Sequence, residues 1–270
     1  MAAMRHRHGR LAPLLLLAAP ACGPPFTMTT AGSDSGGIAD GAGDETGQPA
    51  VADGLLLWLR ADVGVTESNG AVSNWADQSG NHLDARQPDE TQQPTWAAVG
   101  LSGHPAVMFN ADDVLSLPSG FADFSRGVSL FAVTSIADVE PCVGLVHLSN
   151  GPEIDDIELG RYDGRGAYEV LEGVLSGADF PLGRPQLISV VHDAERNASM
   201  RFNGGGPAST MFDLPRMVTR RSNLVGRSQY ANCGSVHGGL AEMLIYRRAL
   251  DDAERARVEA QLQNRWACCR

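Results

Sequence analysis

The sequence predicts an all-β domain, a sandwich of antiparallel strands, closed by one C-terminal helix. Three observations lead there. Short apolar runs bounded by turn residues recur from residue 51 onward, the pattern of a sandwich or barrel. Glycine is abundant, 31 in 270 residues, which suits a chain with many turns. Only the stretch after Leu250 has a helical apolar period, so a parallel sheet built from alternating strands and helices is excluded.

The elements follow in order. Residues 54–60 (Gly-Leu-Leu-Leu-Trp-Leu-Arg) are the first strand. Residues 106–109 and 114–117 are two more, separated by the turn Asn110-Ala111-Asp112-Asp113. Further strands are expected at 128–133, 143–148, 157–162, 168–171, 186–192, 199–203 and 223–226. Residues 238–246 form a last strand that leads directly into the helix. Asp251 caps that helix, and Glu254 three places on completes a capping box. Val258, Leu262 and Trp266 recur every four residues and form its apolar stripe.

The first fifty residues do not belong to the fold. Arg5, Arg7 and Arg10 precede the apolar run 11–19, and Ala19-Pro20-Ala21-Cys22 follows. A basic start, a short apolar core and small residues at the cut mark an export signal over 1–21. The run is too short to span a bilayer. Cys22 directly after the cut resembles the lipidated cysteine of a bacterial lipoprotein, although the usual leucine three places earlier is missing. Cleavage by ordinary signal peptidase after Ala-x-Ala is the competing reading. Residues 22–50 are small and polar with almost no large apolar side chains, the composition of a disordered tether. The domain itself is placed at 51–270. The expected location is the outer membrane or cell surface, with a periplasmic or secreted protein as the alternative.

Charge and cysteine content narrow the chemistry. The net charge is −11, which argues against nucleic acid and leaves a lipid on Cys22 as the only expected membrane contact. All 21 basic residues are arginine, so Schiff-base chemistry and a P-loop lysine are impossible. Outside the cytosol, disulfides are expected. Among Cys142, Cys233, Cys268 and Cys269, the preferred pair is Cys142 with Cys233. Adjacent Cys268 and Cys269 are poorly placed to bond each other, and no Cys-x-x-Cys spacing supports a metal.

Blocks at both ends of the domain match a known family. The front carries Leu57-Trp58-Leu59-Arg60-Ala61-Asp62, Trp75-Ala76-Asp77-Gln78-Ser79-Gly80-Asn81, Gln93-Pro94-Thr95-Trp96 and Pro105-Ala106-Val107-Met108-Phe109-Asn110, followed by Asp113-Val114-Leu115. The back is the strand and helix at 238–266. In order and spacing these resemble the LamG-like jelly-roll domain of the concanavalin A-like lectin and glucanase superfamily. The resemblance implies two curved antiparallel sheets and binding or adhesion more often than catalysis. It supplies no fixed set of binding residues.

Four groups of residues are candidates for chemistry. Glu153-Ile154-Asp155-Asp156-Ile157-Glu158 resembles the Glu-x-Asp-x-x-Glu signature of laminarinase-type retaining glycosidases, which implies Glu153 as nucleophile, Glu158 as acid/base and Asp155 between them. On a strand, Glu153 and Asp155 would share a face, and Glu158 would join them only through a bulge. Asp156 departs from the signature, and Trp58, Trp75, Trp96 and Trp266 read as fold elements rather than cleft aromatics. The competing reading is a turn at 149–152 leading into a strand that starts near Ile157. The acidic turns 77–81 and 110–113 offer oxygen ligands for calcium, but Asp, Asn and Gly also favour turns for conformational reasons. Arg216, Arg220, Arg221 and Arg227 form a basic cluster, ordinarily a solvated loop face. Histidines 82, 104, 147, 192 and 237 have no metal-binding spacing, and no Gly-x-Ser-x-Gly elbow is present. The expectation is therefore a non-catalytic module that binds a glycan or a protein at the bacterial envelope. A retaining glycosidase and a purely structural envelope module are the alternatives.

Overall fold

The structure, a computed structural model, describes residues 47–110, 112–137 and 141–269. The export signal and Cys22 lie outside the described residues. No described helix is long and apolar enough to cross a membrane.

Seventeen strands and one α-helix make up the described chain. The strands are β1 (Leu55–Arg60), β2 (Val65–Ser68), β3 (Ala71–Trp75), β4 (Ala85–Arg86), β5 (Thr95–Leu101), β6 (His104–Phe109), β7 (Leu115–Leu117), β8 (Val128–Ile136) and β9 (Cys142–Ser149). They continue with β10 (Ile157–Tyr162), β11 (Arg165–Val170), β12 (Gly173–Asp179), β13 (Gln186–His192), β14 (Asn197–Phe202), β15 (Ala208–Met211), β16 (Ser222–Val225) and β17 (Gly238–Tyr246). The helix α1 covers Asp252–Arg265.

All named strand pairs are antiparallel. One layer runs β1-β17-β8-β13-β14-β15. The other runs β12-β11-β10-β9-β16-β7-β4-β3-β2. The hairpin β5-β6 pairs with β3 on one side and β17 on the other, so the ladder turns a corner and the layers curl into a sandwich. The expected all-β fold with one C-terminal helix is the observed one. Strands β2, β3, β4, β5, β12 and β15 lie outside the runs that the sequence marks as strands. They are short, polar or glycine-bearing, so their alternation is weak, and pairing supplies what their sequence lacks.

The core lies between the layers, where alternate residues of facing strands meet. Leu148, Ile157 and Val170 form one inward row, and Val146, Leu159 and Tyr168 another. The Tyr168 hydroxyl reaches His192 Nδ1 on the opposite layer at 3.2 Å. β13 is buried on almost every residue because α1 covers its outer face. Ser189 points outward there and bonds Arg255 of the helix at 3.0 Å, while Ile188 and Val190 point into the core.

The C-terminal element forms as expected. The Asp251 side chain accepts from the Glu254 N–H at 2.8 Å, and the Glu254 side chain accepts from the Asp251 N–H at 3.1 Å. Val258, Leu262 and Trp266 are all buried. At the centre of β17, Glu242 is fully buried and binds β1 and α1 together. Its carboxylate accepts from the indole N–H of Trp58 at 2.5 Å, the indole N–H of Trp266 at 2.6 Å and Arg265 at 2.5 Å. The indole N–H groups of Trp75 and Trp96 donate to the carbonyls of Arg60 and Ala61. All four tryptophans are framework residues.

Cys142 is bonded to Cys233, 91 positions away. Cys268 is bonded to Cys269, contrary to the expectation for adjacent cysteines. Left-handed backbone at Ala267 (φ 45°) and Cys269 (φ 67°) folds the chain end back on itself, and Gln263 donates to the Cys269 carbonyl at 2.8 Å. The turn brings together two side chains that an extended chain would point apart. Disulfides of this kind belong outside the cytosol. Gln48 and Ala50, at the end of the stretch read as tether, hydrogen-bond Gln261 of α1.

Candidate binding cleft

Strand alternation places a polar row on the outer face of the second layer. Leu224, His147, Glu158, Glu169 and Val174 are successive partners across β16, β9, β10, β11 and β12. Their neighbours in sequence face the core. No local signal marks this row, because its members lie on five strands spread over about eighty residues of sequence.

The loop from Gly226 to Gly234 crosses the row and covers it. Gly226 has φ +86°, and a Cβ there would meet the Phe109 ring at 2.3 Å, so the loop starts where only glycine fits. The Cys142–Cys233 disulfide fixes its far end. Between them, Gln229 donates to Ser149 Oγ at 2.7 Å, and the Tyr230 ring packs on His147 with centroids 5.1 Å apart.

Underneath lies a buried acid–base cluster. His147 Nε2 is 2.9 Å from Asp156 Oδ1, and His147 Nδ1 is 3.2 Å from Glu158 Oε2. The Tyr230 hydroxyl donates to Asp156 Oδ2 at 3.3 Å. Burial disfavours the charged imidazole, but Asp156 and Glu158 outweigh it and push the His147 pKa up to about 9. Against this, the Gln229 N–H points at Nδ1 from 3.0 Å, which requires a lone pair there. The upward direction follows from two carboxylates flanking one ring, and the Gln229 contact limits its extent and leaves Nε2 as the nitrogen that carries the proton toward Asp156. Glu158, close to Nδ1 but out of line with it, has no hydrogen-bond donor on either carboxylate oxygen. Burial and the charge of Glu158 push Glu169 up to about 7, and burial beside these carboxylates raises Tyr230 as well.

A two-lobed cleft opens over this floor. One lobe, of about 830 Å³, is bordered by Glu153, Asp156, Glu172, Phe212, Arg216 and Tyr230. The other, of about 610 Å³, is bordered by Glu153, Tyr162, Asp163, Arg165, Glu169 and Tyr230. Glu153 and Tyr230 belong to both. The walls combine aromatic faces with carboxylates that outnumber the two arginines.

The structure separates the carboxylates of the glycosidase-like signature. Glu153 and Asp155 sit in a turn with left-handed backbone, φ 62° and 58°, and the strand begins at Ile157. Glu153 is exposed at the rim. Asp155 accepts from Asn150 at 3.0 Å and pairs with Arg216 at 3.4 Å. Glu158 is buried beneath the loop. Asp156, the departure from the signature, is 1 % exposed and belongs to the His147 cluster.

The other candidates are structural. Asp77 accepts four bonds from its surroundings: Trp58 N–H, Ser79 N–H, Ser79 hydroxyl and Leu83 N–H, all at 2.8–3.0 Å. Asn81 donates to the carbonyls of Leu55 and Leu56, and Asp113 accepts from the Asn110 N–H at 2.8 Å. These turns spend their polar atoms on the backbone. Among the described residues, no group of three or more His, Cys, Asp or Glu side chains is arranged to hold a metal ion. The basic cluster divides: Arg216 and Arg221 are exposed and Arg227 is half-buried, as on a solvated face, but Arg220 is fully buried. Its guanidinium donates to the carbonyls of Asp155 and Phe121, each at 2.7 Å, and lies over the Phe124 ring. Desolvation lowers its pKa to about 10.

No protein-family model and no curated protein matches the sequence. Solved structures do match the fold. The binding domain of Paraclostridial Mosquitocidal Protein 1 superposes with a TM-score of 0.56 at 12 % identity, over 78 % of this chain and 52 % of that one. Trypanosoma rangeli sialidase in complex with the inhibitor DANA gives 0.51 at 15 % identity, over 76 % and 32 %. The same sialidase in complex with sialic acid gives 0.50 at 17 %, over 78 % and 33 %. The fold is a concanavalin A-like jelly roll. The chain spans about half of the mosquitocidal binding domain and about a third of the sialidase, and at these identities the likeness concerns the fold alone.

Proposed function

We propose that this is a non-catalytic binding module of the LamG-like kind, which receives a glycan or a protein in the cleft around Tyr230. A lipid on Cys22 and the polar segment 22–50 hold it at the bacterial envelope. The observation that carries the reading is the cleft itself, with an aromatic side chain shared by two lobes and seated on a loop that a disulfide pins to the sheet. A pre-formed surface of this kind limits the ordering cost of binding. Fold neighbours that are a toxin binding domain and a sialidase bound to sialic acid agree with it, as analogy.

Tyr230→Ala is expected to lower affinity for the bound glycan or protein at least tenfold, with a lower melting temperature because Asp156 loses a donor and His147 its cover; affinity is compared below both melting transitions. A glycan array, with and without calcium, and a binding isotherm on the best hit measure this. Unchanged affinity in the alanine variant would place the ligand elsewhere. Fatty-acid labelling of wild type against Cys22→Ala tests the anchor, and equal incorporation removes it.

The glycosidase alternative rests on Glu153 at the cleft rim and Glu158 beneath its floor. A retaining mechanism needs two carboxyls about 5 Å apart across the scissile bond. If it operates, the protein hydrolyses a β-glucan and Glu153→Gln abolishes turnover. Absence of wild-type hydrolysis across β-glucans sinks that alternative. A purely structural envelope module would bind nothing in either assay.

A further inference from the structure

The buried carboxylate of Glu158 has no donor, and the space next to it is small and specific. Glu158 is 5 % exposed, and neither oxygen has a hydrogen-bond partner. The carboxylate lies 3.2 Å from His147 Nδ1, yet a buried carboxylate with no hydrogen-bond donor stays under-satisfied. His147 does not supply the donor, since its Nδ1 is directed at the Gln229 N–H. Room for the carboxylate comes from Gly144, where a Cβ would stand 2.5 Å from Glu158 Oε1.

Beside this carboxylate is a void of about 10 Å³, bordered by Val143, Glu158, Gly160, Tyr162, Ala167 and Glu169 among others. That is space for a single water-sized group. Tyr162, Ala167 and Glu169 also border the 610 Å³ lobe, so the void adjoins the cleft. Its wall combines small and apolar side chains with two carboxylates, Glu158 and Glu169. Arg161 borders it too and has a partner of its own.

We propose that this void is a lysine pocket, which takes the side-chain ammonium of a lysine presented by a partner protein, with the slim stem lying against Tyr162 and Ala167. The inference rests on the reading of the cleft as a binding surface. An ammonium has the size of a water and carries three donors, which matches both the void and the oxygens that lack a hydrogen-bond donor. A guanidinium is a broad planar fork and exceeds the space. An amine set directly on a sugar ring lacks the stem to reach a carboxylate below the cleft floor. These 270 residues contain no lysine, so no side chain among them, or in a second copy of them, supplies the ammonium. The carboxylates of Glu153, Asp156 and Asp163 along the walls add attraction for a cation.

The test is backbone-amide NMR of the protein titrated with n-butylamine, with neutral N-acetylbutylamine, with a peptide carrying one lysine, and with a glucosamine tetramer. The expected result is saturable shifts at residues 158–169 and 228–232 for n-butylamine and the lysine peptide, none for the acetylated amine, and at least tenfold weaker binding in Glu158→Gln. Ala167→Leu, which fills the void and leaves the Glu158 side chain in place, is expected to abolish the shifts. It keeps the test valid if Glu158→Gln fails to fold. Absence of saturable shifts, equal binding of the acetylated amine, or unchanged affinity in a folded Glu158→Gln overturns the pocket. Tighter binding of the glucosamine tetramer than of the lysine peptide overturns the lysine assignment but leaves the cleft a glycan site. Loss of every ligand in the glycan-array and Tyr230→Ala experiments would instead remove the cleft reading itself.

Discussion

Two buried charged side chains, Glu242 and Arg220, do structural work that their chemistry alone does not announce. Glu242 exchanges its water shell for two indole N–H groups and Arg265, and desolvation raises its pKa to about 7 despite those donors. Burial also lowers Arg265 to about 10, where it remains charged at neutral pH. A carboxylate whose pKa is higher folded than unfolded makes the native state bind more protons, so stability declines as pH rises from the ordinary value of 4.5 toward 7. The Arg265 contact pulls the other way, which places the expected loss at about 1–3 kcal/mol. Urea denaturation at pH 5 and at pH 7.5 measures it, and Glu242→Gln should flatten the dependence. Arg220 is surrounded mainly by carbonyls, which its guanidinium satisfies in several directions. Arg220→Met leaves those acceptors buried without donors, and a loss of about 2–4 kcal/mol is expected in chemical denaturation.

Among the elements, α1 and the 226–234 loop show how local chemistry and long-range closure divide the work. The capping box satisfies two helix-terminal N–H groups that otherwise have no partner. Asp251→Ala should cost about 1 kcal/mol in thermal denaturation, without altering the sheet. The loop has no such local signal and depends on the Cys142–Cys233 bond. With a sequence separation of 91 between the cysteines, the chain-entropy model assigns that bond about 4.6 kcal/mol. The double variant Cys142→Ser/Cys233→Ser should lose about 2–5 kcal/mol in denaturant titration and bind ligand more weakly, because Tyr230 rides on the released loop. The Cys268–Cys269 bond closes no such loop. Replacing both cysteines with serine should change stability by less than about 1 kcal/mol on the same entropic reasoning.

At the level of the whole molecule, the sandwich keeps its candidate cleft and its C-terminal clasp on different layers. The helix seals the outer face of β13 and β17, and the cleft opens on the outer face of β9 to β12. Trp266→Ala empties a fully enclosed site between α1 and β17. It should cost about 3–5 kcal/mol in stability, while affinity at the cleft, measured below the melting transition, stays within twofold of wild type. Equal loss of affinity and stability would mean that the two layers are coupled.

The sequence by itself determined the strands with strong alternation, the capped helix with its Val258–Leu262–Trp266 stripe, and the all-β class. Those features depend on residues a few positions apart, where period and capping chemistry act. The same holds for the turn at 149–152, whose Asn, Gly and Pro point away from a strand before Ile157. Only the tertiary structure decided that His147 meets Asp156, Glu158 and Tyr230, that Arg220 is buried and that Cys268 bonds Cys269. Each of these depends on strand register, loop closure or a left-handed turn. A one-residue change of register would send His147 and Glu158 to the core face. The periodicity of a single strand shows that it has two faces, and the packed sandwich shows which face became a cleft.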